Sequence, residues 1–229
     1  MLNVKRRELV VPGELVAEGD YLLGEGLFRD GREIYSSVVG LVDIRGRKVR
    51  VIPLQGRYVP KPGDKVIGIV IDAFYYGWIL DLNSPYTGTL FASDLLGRKV
   101  DFSREDLSEY LEAGDAVFVK VKEVDELMHV SLEADKWGMG KLKRGKLVEI
   151  SSAKIPRVIG RGGSMISMLQ GVSGCRLRVG QNGRVMVWGR DLKRVNAIVE
   201  ALLMIEREAH TTGLTDRVRE FLEKRIGGK

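Results

Sequence analysis

Cysteine is nearly missing from this sequence, and histidine, long apolar runs and aromatic side chains are scarce. The one cysteine, Cys175, excludes an internal disulfide and a Cys-rich zinc site. The two histidines, His129 and His210, stand far apart with no Asp or Glu at metal-ligand spacing, so neither a catalytic metal nor another cofactor is expected. No apolar run approaches the roughly 18–20 residues that span a bilayer. The opening Met1-Leu2-Asn3-Val4-Lys5-Arg6-Arg7 lacks the apolar core of a signal peptide, so a cytoplasmic protein with no membrane partner is expected. Aromatics make up only 7% of the chain, whereas glycine occurs 28 times, a balance suited to short strands joined by glycine turns. The acids between 101 and 135 are plentiful but show no ligand spacing, and no nucleophile–base pair is apparent. A non-catalytic protein is therefore expected.

What is present is positive charge, unevenly spread. The net charge is +6. Residues 141–194 hold 13 Lys and Arg against only Glu149 and Asp191, while residues 101–140 hold 11 acids against 4 bases. So cationic a stretch points to nucleic acid; a solvated basic surface without a partner is the alternative.

Periodicity divides the chain. Residues 1–58 read as β-rich, with strands at Leu9–Val11, Val38–Ile44 and Lys48–Ile52 and a hairpin turn at Gly46. The run Tyr58-Val59-Pro60-Lys61-Pro62-Gly63-Asp64 reads as a boundary turn. Strands follow at Lys65–Asp72, Gly77–Leu82, Thr87–Phe91, Ala116–Val124 and Met128–Leu132. A partly helical excursion interrupts them after the third, with a capping-box-like start at Ser103-Arg104-Glu105-Asp106. Five strands with that interruption are the order of a small Greek-key barrel of OB type.

From Lys146 the order becomes strand, two short helices, two strands and a long helix. The last two strands are joined by Gly180-Gln181-Asn182-Gly183, a hairpin signal. Asp191 is placed to cap the long helix, whose apolar stripe runs through Leu192, Val195, Ile198, Val199, Leu202 and Ile205. A further helix, Asp216–Arg225, is predicted with Thr215 as N-cap and Gly227-Gly228 as its end.

The two short helices meet at Gly160-Arg161-Gly162-Gly163. Glycines there let a sugar–phosphate backbone approach the main chain, whose N–H groups and following helix start favour phosphate oxygens. Lys154, Arg157 and Arg161 add charge. A tight helix–helix turn without a ligand is the alternative. In this context the segment resembles the GXXG loop of a type I KH domain (βααββα), which clamps a few nucleotides of a single strand. The resemblance implies that Arg176 and Arg178, alternating on the next strand, face the groove beside the loop; a solvated strand face is the alternative.

The stretch Ile71-Asp72-Ala73-Phe74-Tyr75-Tyr76-Gly77-Trp78-Ile79 resembles the strand–bend–strand of the S-one RNA-binding barrel. Carried over position by position, Tyr76 takes a stacking aromatic, Phe91 a place usually held by His, and His129 one usually held by Arg. Ile79 stands where a second aromatic is usual, and Trp78 reads as core. Lys120 and Lys122 alternate on one strand and are candidates for phosphate contact or simple solubilising residues.

Barrel before KH domain, after a β-rich start that includes Val10-Val11-Pro12-Gly13-Glu14, resembles the KH-containing RNA-binding cap subunit of the archaeal exosome. The fold implied is a multidomain α+β chain. It comprises a ring-docking N-terminal domain (1–58), an S-one barrel (59–140), a KH domain (141–211) and a C-terminal helix (212–229). The resemblance further implies a trimeric cap of this subunit, or of it mixed with the zinc-ribbon cap subunit. That cap feeds single-stranded RNA, with A-rich tails favoured, to a hexameric ring that performs phosphorolytic 3′-to-5′ degradation. A free-standing RNA-binding factor and a nuclease with a cryptic site are the alternatives.

Overall fold

The computed structural model describes residues 1–54, 56–134, 138–209, 211 and 213–227. His210 and Gly228, named above, lie outside the described residues. The chain forms two compact units, Met1–Gly56 and Arg57–Lys229.

The first unit is built of seven short strands: β1 (Leu9–Val10), β2 (Leu15–Glu18), β3 (Leu22–Leu23), β4 (Leu27–Asp30), β5 (Glu33–Ser36), β6 (Gly40–Arg45) and β7 (Lys48–Pro53). They form two sheets, ordered β1-β6-β7-β3 and β2-β5-β4. Val10, Val16, Val42, Val49 and Val51 make the core. Gly46 turns the β6–β7 hairpin with φ +59°, a backbone that side chains other than glycine's resist. The sequence pattern revealed β6 and β7 through their length and β1 through the unbroken Leu9-Val10-Val11 run, whereas β2 to β5, two to four residues long, show too little alternation.

In the second unit β8 (Lys65–Phe74), β9 (Gly77–Asp81), β10 (Thr87–Phe91), β11 (Ala116–Val124) and β12 (Val130–Glu133) close a barrel. They pair in the order β8-β9-β10-β12-β11 and back to β8, with β10 and β12 parallel. A short helix, α1 (Ala92–Leu96), follows the third strand. Trp78, Leu80, Leu90, Val119 and Leu132 fill the interior. Gly77 is required by close approach: a Cβ there would lie 2.2 Å from the Leu90 carbonyl oxygen across the β9–β10 pair.

The two boundaries fall differently from the sequence division. Tyr58 is buried in the barrel core and donates its hydroxyl to Asp64 at 2.7 Å. Strand β13 (Gly140–Leu142) extends the barrel sheet beside β11. Nor does a helix start at Ser103. The segment folds as turns in which the amides of Arg104 and Glu105 donate to the Asp101 carbonyl, both at 3.0 Å. Glu105 is drawn to Arg98 and Tyr110, and those partners, the Arg98 hydrogen bond foremost, hold its carboxyl down to about 2.

The KH part comprises β14 (Lys146–Glu149), α2 (Ile155–Ile159), α3 (Ser164–Ser173), β15 (Arg176–Val179), β16 (Arg184–Trp188) and α4 (Leu192–Glu208). The sheet order is β14-β16-β15. Val158, Leu169, Val185, Val187, Ile198 and Leu202 form the core between sheet and helices. Asp191 caps α4 by accepting from the Lys193 amide at 2.8 Å. The stripe is shorter than predicted, because Leu192 in the first turn is 78% exposed. The last helix, α5 (Leu214–Gly227), starts two residues earlier than predicted, which puts Thr215 in its first turn rather than at its cap. Leu214, Val218 and Leu222 of α5 complete the core.

Strand β16 is buried on both faces. Val185 and Val187 meet the helices, while Met186 packs with Ile67 and Phe118 of the barrel. Barrel and KH domain therefore share a small core of their own.

Candidate nucleic-acid interface

The glycine loop is exposed, and its conformation explains its composition. Gly160, Gly162 and Gly163 all have positive φ (76°, 58° and 83°). Gly160 closes α2, its amide donating to the Pro156 carbonyl at 3.0 Å, and a Cβ on it would lie 2.6 Å from the Met165 amide nitrogen. Gly162 has open space on its Cβ side, and Gly163 meets only Ile166 at 3.9 Å. The Gly163 amide is spent on the Gly160 carbonyl at 3.3 Å. The amides of Arg161 and Gly162 have no backbone acceptor among the described residues. They stand just ahead of the N-terminus of α3, whose cap supplies no side-chain acceptor. Two free donors and a helix start form a ready site for a phosphate oxygen.

Three cations lie in or shortly before that bend in sequence: Lys154 just ahead of α2, Arg157 in its last turn and Arg161 in the loop. Arg157 and Arg161 are exposed and Lys154 is partly so, and none makes a salt bridge with another described residue. Ile159 and Ile166, half-buried on either side, present an apolar flank. Val158 and Leu169 are fully buried and serve the core.

Arg176 and Arg178 are not where the sequence placed them. Leu177 between them faces the helices, so both point to the opposite face of the sheet. Arg178 stacks over Phe118 of the barrel at 4.8 Å and donates to the Gly138 carbonyl at 3.3 Å. Arg176 lies over Trp188, also at 4.8 Å, beside the far end of α3 from the loop. The expectation that they line the groove beside the loop is corrected. Strand alternation was read properly, but which face meets the helices is decided by the buried Leu177.

On the barrel, Tyr76 and Phe91 come together at one end. The Ala92 amide donates to the Tyr76 carbonyl at 2.9 Å. Phe91 packs edge-on to Phe74, ring centres 6.0 Å apart. Tyr76 touches Tyr75 (4.8 Å) and Phe102 (5.2 Å). Tyr75, Tyr76 and Phe91 are exposed, which makes this the most aromatic exposed surface among the described residues of the second unit. Sequence reasoning missed Tyr75, Phe74 and Phe102. The run Phe74-Tyr75-Tyr76 was a signal for the first two; Phe102 arrives from the excursion through tertiary folding.

His129 is elsewhere. Parallel pairing puts Gly88 opposite Val130, so His129 lies by the start of β10 and Phe91 at its end, about 13 Å apart along the strand. His129 pairs through Nδ1 with Asp125 at 2.7 Å, and Asp125 also accepts from the His129 and Leu127 amides. The pair fastens the β11–β12 turn. Lys120 and Lys122 hold Glu133 (2.7 Å) and Asp94 (2.9 Å), so neither is a bare cation. Trp78 is buried and donates Nε1 to the Leu111 carbonyl at 3.1 Å.

Among the described residues no three His, Cys, Asp or Glu side chains gather as metal ligands, and no helix is long and apolar enough to cross a membrane.

Comparison with known proteins adds ancestry to this geometry. Residues 7–55 match the family described as the exosome RNA binding protein RRP4 N-terminal domain, and residues 146–204 match the KH domain. The exosome complex component Rrp4 of Methanothermus fervidus is 48% identical over 227 residues, covering 99% of this chain and 100% of that protein. Its counterpart in Pyrococcus furiosus is 44% identical over 227 residues, covering 97% and 85%. A crystal structure of an exosome complex RNA-binding protein superposes with a TM-score of 0.71 at 37% identity, over 75% of this chain and 98% of that one.

Proposed function

This chain belongs to the Rrp4 family of exosome components, and from that premise we propose that it is a non-catalytic RNA-binding subunit of an exosome. It captures single-stranded RNA and passes it to a hexameric ring of phosphorolytic 3′-to-5′ subunits in the cytoplasm. The observation that carries the proposal is the bend at 160–163, with two unpaired amides, three positive-φ glycines and the cations Lys154, Arg157 and Arg161 in or shortly before it. A phosphodiester seats on such donors without selecting a base, as an RNA-feeding subunit requires. The aromatic end of the barrel, Tyr76 and Phe91 with Tyr75, adds stacking worth about 1–3 kcal/mol per base. A preference for A-rich tails belongs to this proposal through the family resemblance alone, since stacking accepts every base.

Docking falls to the N-terminal unit. On the face of its sheet opposite Val42 and Val51, Leu9 pairs with Leu41 and Leu41 with Ile52, an apolar row across three strands. Leu9 and Ile52 are exposed. Three copies, or copies mixed with the zinc-ribbon cap subunit, surround the ring entrance, and a strand held by one is presented to the others at high effective concentration.

The test is the double substitution Gly162→Asp with Gly163→Asp. Both Cβ positions are open and the left-handed backbone costs about 1 kcal/mol at each, so the fold should survive at a lowered melting temperature, while two carboxylates repel phosphate. Affinity for a short single-stranded RNA should fall at least tenfold at a temperature where the variant is still fully folded. Unchanged affinity removes the loop from the function. Co-purification with the ring subunits, retained by this variant, separates an exosome subunit from a free-standing factor.

A further inference from the structure

At the far end of α3 from the glycine loop lies a cleft of about 480 Å³ that neither family likeness nor the proposed function uses. Its size falls within the roughly 300–1,000 Å³ of small-ligand sites. Four arginines converge on it from four places in the chain. Arg144 comes from the turn before β14, Arg176 from the start of β15, Arg190 from the loop after β16, and Arg194 from the first turn of α4. One carboxylate, Asp191, opposes them: its Oδ1 caps α4 and its Oδ2 lies 3.9 Å from Arg194.

The cleft is prearranged. The Trp188 indole donates Nε1 to the Lys143 carbonyl at 2.7 Å and so pins the turn that carries Arg144. The Arg176 guanidinium lies over the Trp188 ring, 4.8 Å from its centre. Arg194 donates to the Ser173 carbonyl at 3.0 Å, at the end of α3. Arg144 and Arg190 make no salt bridge with any described residue and are exposed. Two guanidinium groups are therefore fixed on the walls and two are free. Four like charges drawn together in one concavity repel one another, and the single carboxylate of Asp191 offsets only one of them. A polyanion removes that penalty.

We propose that this cleft is a second contact for single-stranded RNA on the KH domain. Arg144 and Arg190 take backbone phosphate, and the outer plane of the Arg176–Trp188 stack offers a base a platform, as guanidinium planes do in RNA recognition. The ten residues of α3 separate the cleft from the loop by about 15 Å. Only strands longer than the few nucleotides held at the loop reach both. The proposal rests on the RNA-binding reading of the loop, but it fails separately from it.

The experiment uses the full chain and fluorescein-labelled oligoadenylates of 5 and 15 nucleotides, titrated across salt concentrations. Arg176→Ala with Arg190→Ala should weaken the 15-mer by roughly tenfold, leave the 5-mer within twofold, and reduce the salt slope by about 0.7 for each phosphate no longer neutralised. Arg190→Ala alone, which leaves the Trp188 stack intact, should do the same to a smaller degree. Arg207→Ala with Arg219→Ala, on exposed faces of α4 and α5, makes the same charge change away from the cleft and should leave both lengths unchanged. If the cleft and control pairs lower 15-mer affinity equally, or the cleft pair has no effect, the proposal is overturned. If the cleft pair acts on the 15-mer while Gly162→Asp with Gly163→Asp changes neither length, the cleft stands and the loop reading falls.

Discussion

The three glycines of the bend answer to different constraints. Gly160 is held by packing as well as by φ, since a Cβ would press on the Met165 backbone at 2.6 Å. Gly162 is held by φ alone. Gly160→Ala should therefore cost about 2 kcal/mol or more in urea unfolding. Gly162→Ala should cost only about 1 kcal/mol, the left-handed penalty of an L-residue. Equal costs would mean the bend relaxes freely and is not prearranged. In the first unit Asp43 is nearly buried among Arg50, Arg45 and Arg6. The Arg50 hydrogen bond foremost, with the coulombic pull of all three, holds its carboxyl below the ordinary value of 3.8. A depressed folded value means stabilisation that is present at neutral pH and lost as pH falls from about 4 through that value. Asp43→Asn should flatten this acid limb of stability, read from unfolding curves between pH 2 and 7. A persisting limb of the same size would assign it to other carboxylates.

Among the elements, the β15–β16 hairpin does most to join the second unit. Asn182 at its tip is fully buried in the barrel. Its Nδ2 donates to the carbonyls of Ile67 (2.8 Å) and Leu82 (2.9 Å), and its Oδ1 accepts from the Ile67 amide at 3.2 Å. Arg184 is 3% exposed; it pairs with Asp81 of the barrel and donates to Glu149 of the KH sheet at 2.7 Å. Its carboxylate partners reach solvent, so the loss falls on the buried guanidinium and its hydrogen bond to the Asp81 carbonyl at 2.7 Å, and Arg184→Ala should lose about 1–3 kcal/mol in chemical denaturation. A loss under 1 kcal/mol would show that the seam is held by Met186, Ile67 and Phe118 alone. The sequence disclosed the hairpin through Asn182-Gly183, but the same local signal hid what Asn182 does, because a turn asparagine is ordinarily solvated. The KH elements were legible because each apolar residue recurs at a regular period over a long enough run. The face to which Arg176 and Arg178 point, the company that Phe102 keeps, and the arginine cleft were not legible. Each depends on segments that are distant in the chain and meet only in the fold.

At the scale of the whole molecule, the proposed function spreads RNA affinity over contacts that are individually weak. One KH loop holds about four nucleotides, and each exposed aromatic would add a stack. Because a buried seam, not a linker, joins barrel and KH domain, a strand bound at one is already near the other, and the contacts multiply instead of competing. The first unit has a valine core of its own, and its cations Arg6, Arg45 and Arg50 are drawn to Asp43. Deleting 1–56 should therefore leave a folded protein that binds a 15-nucleotide RNA within threefold of the full chain, as Arg57–Lys229 keeps the barrel core, the KH core and the seam. The same deletion should abolish co-purification with the phosphorolytic subunits. A deletion that abolishes RNA binding along with assembly would place part of the RNA surface on the first unit. Assembly retained without it would move docking to the barrel, where Tyr75, Tyr76 and Phe91 would then be an apolar contact for protein instead of a platform for bases.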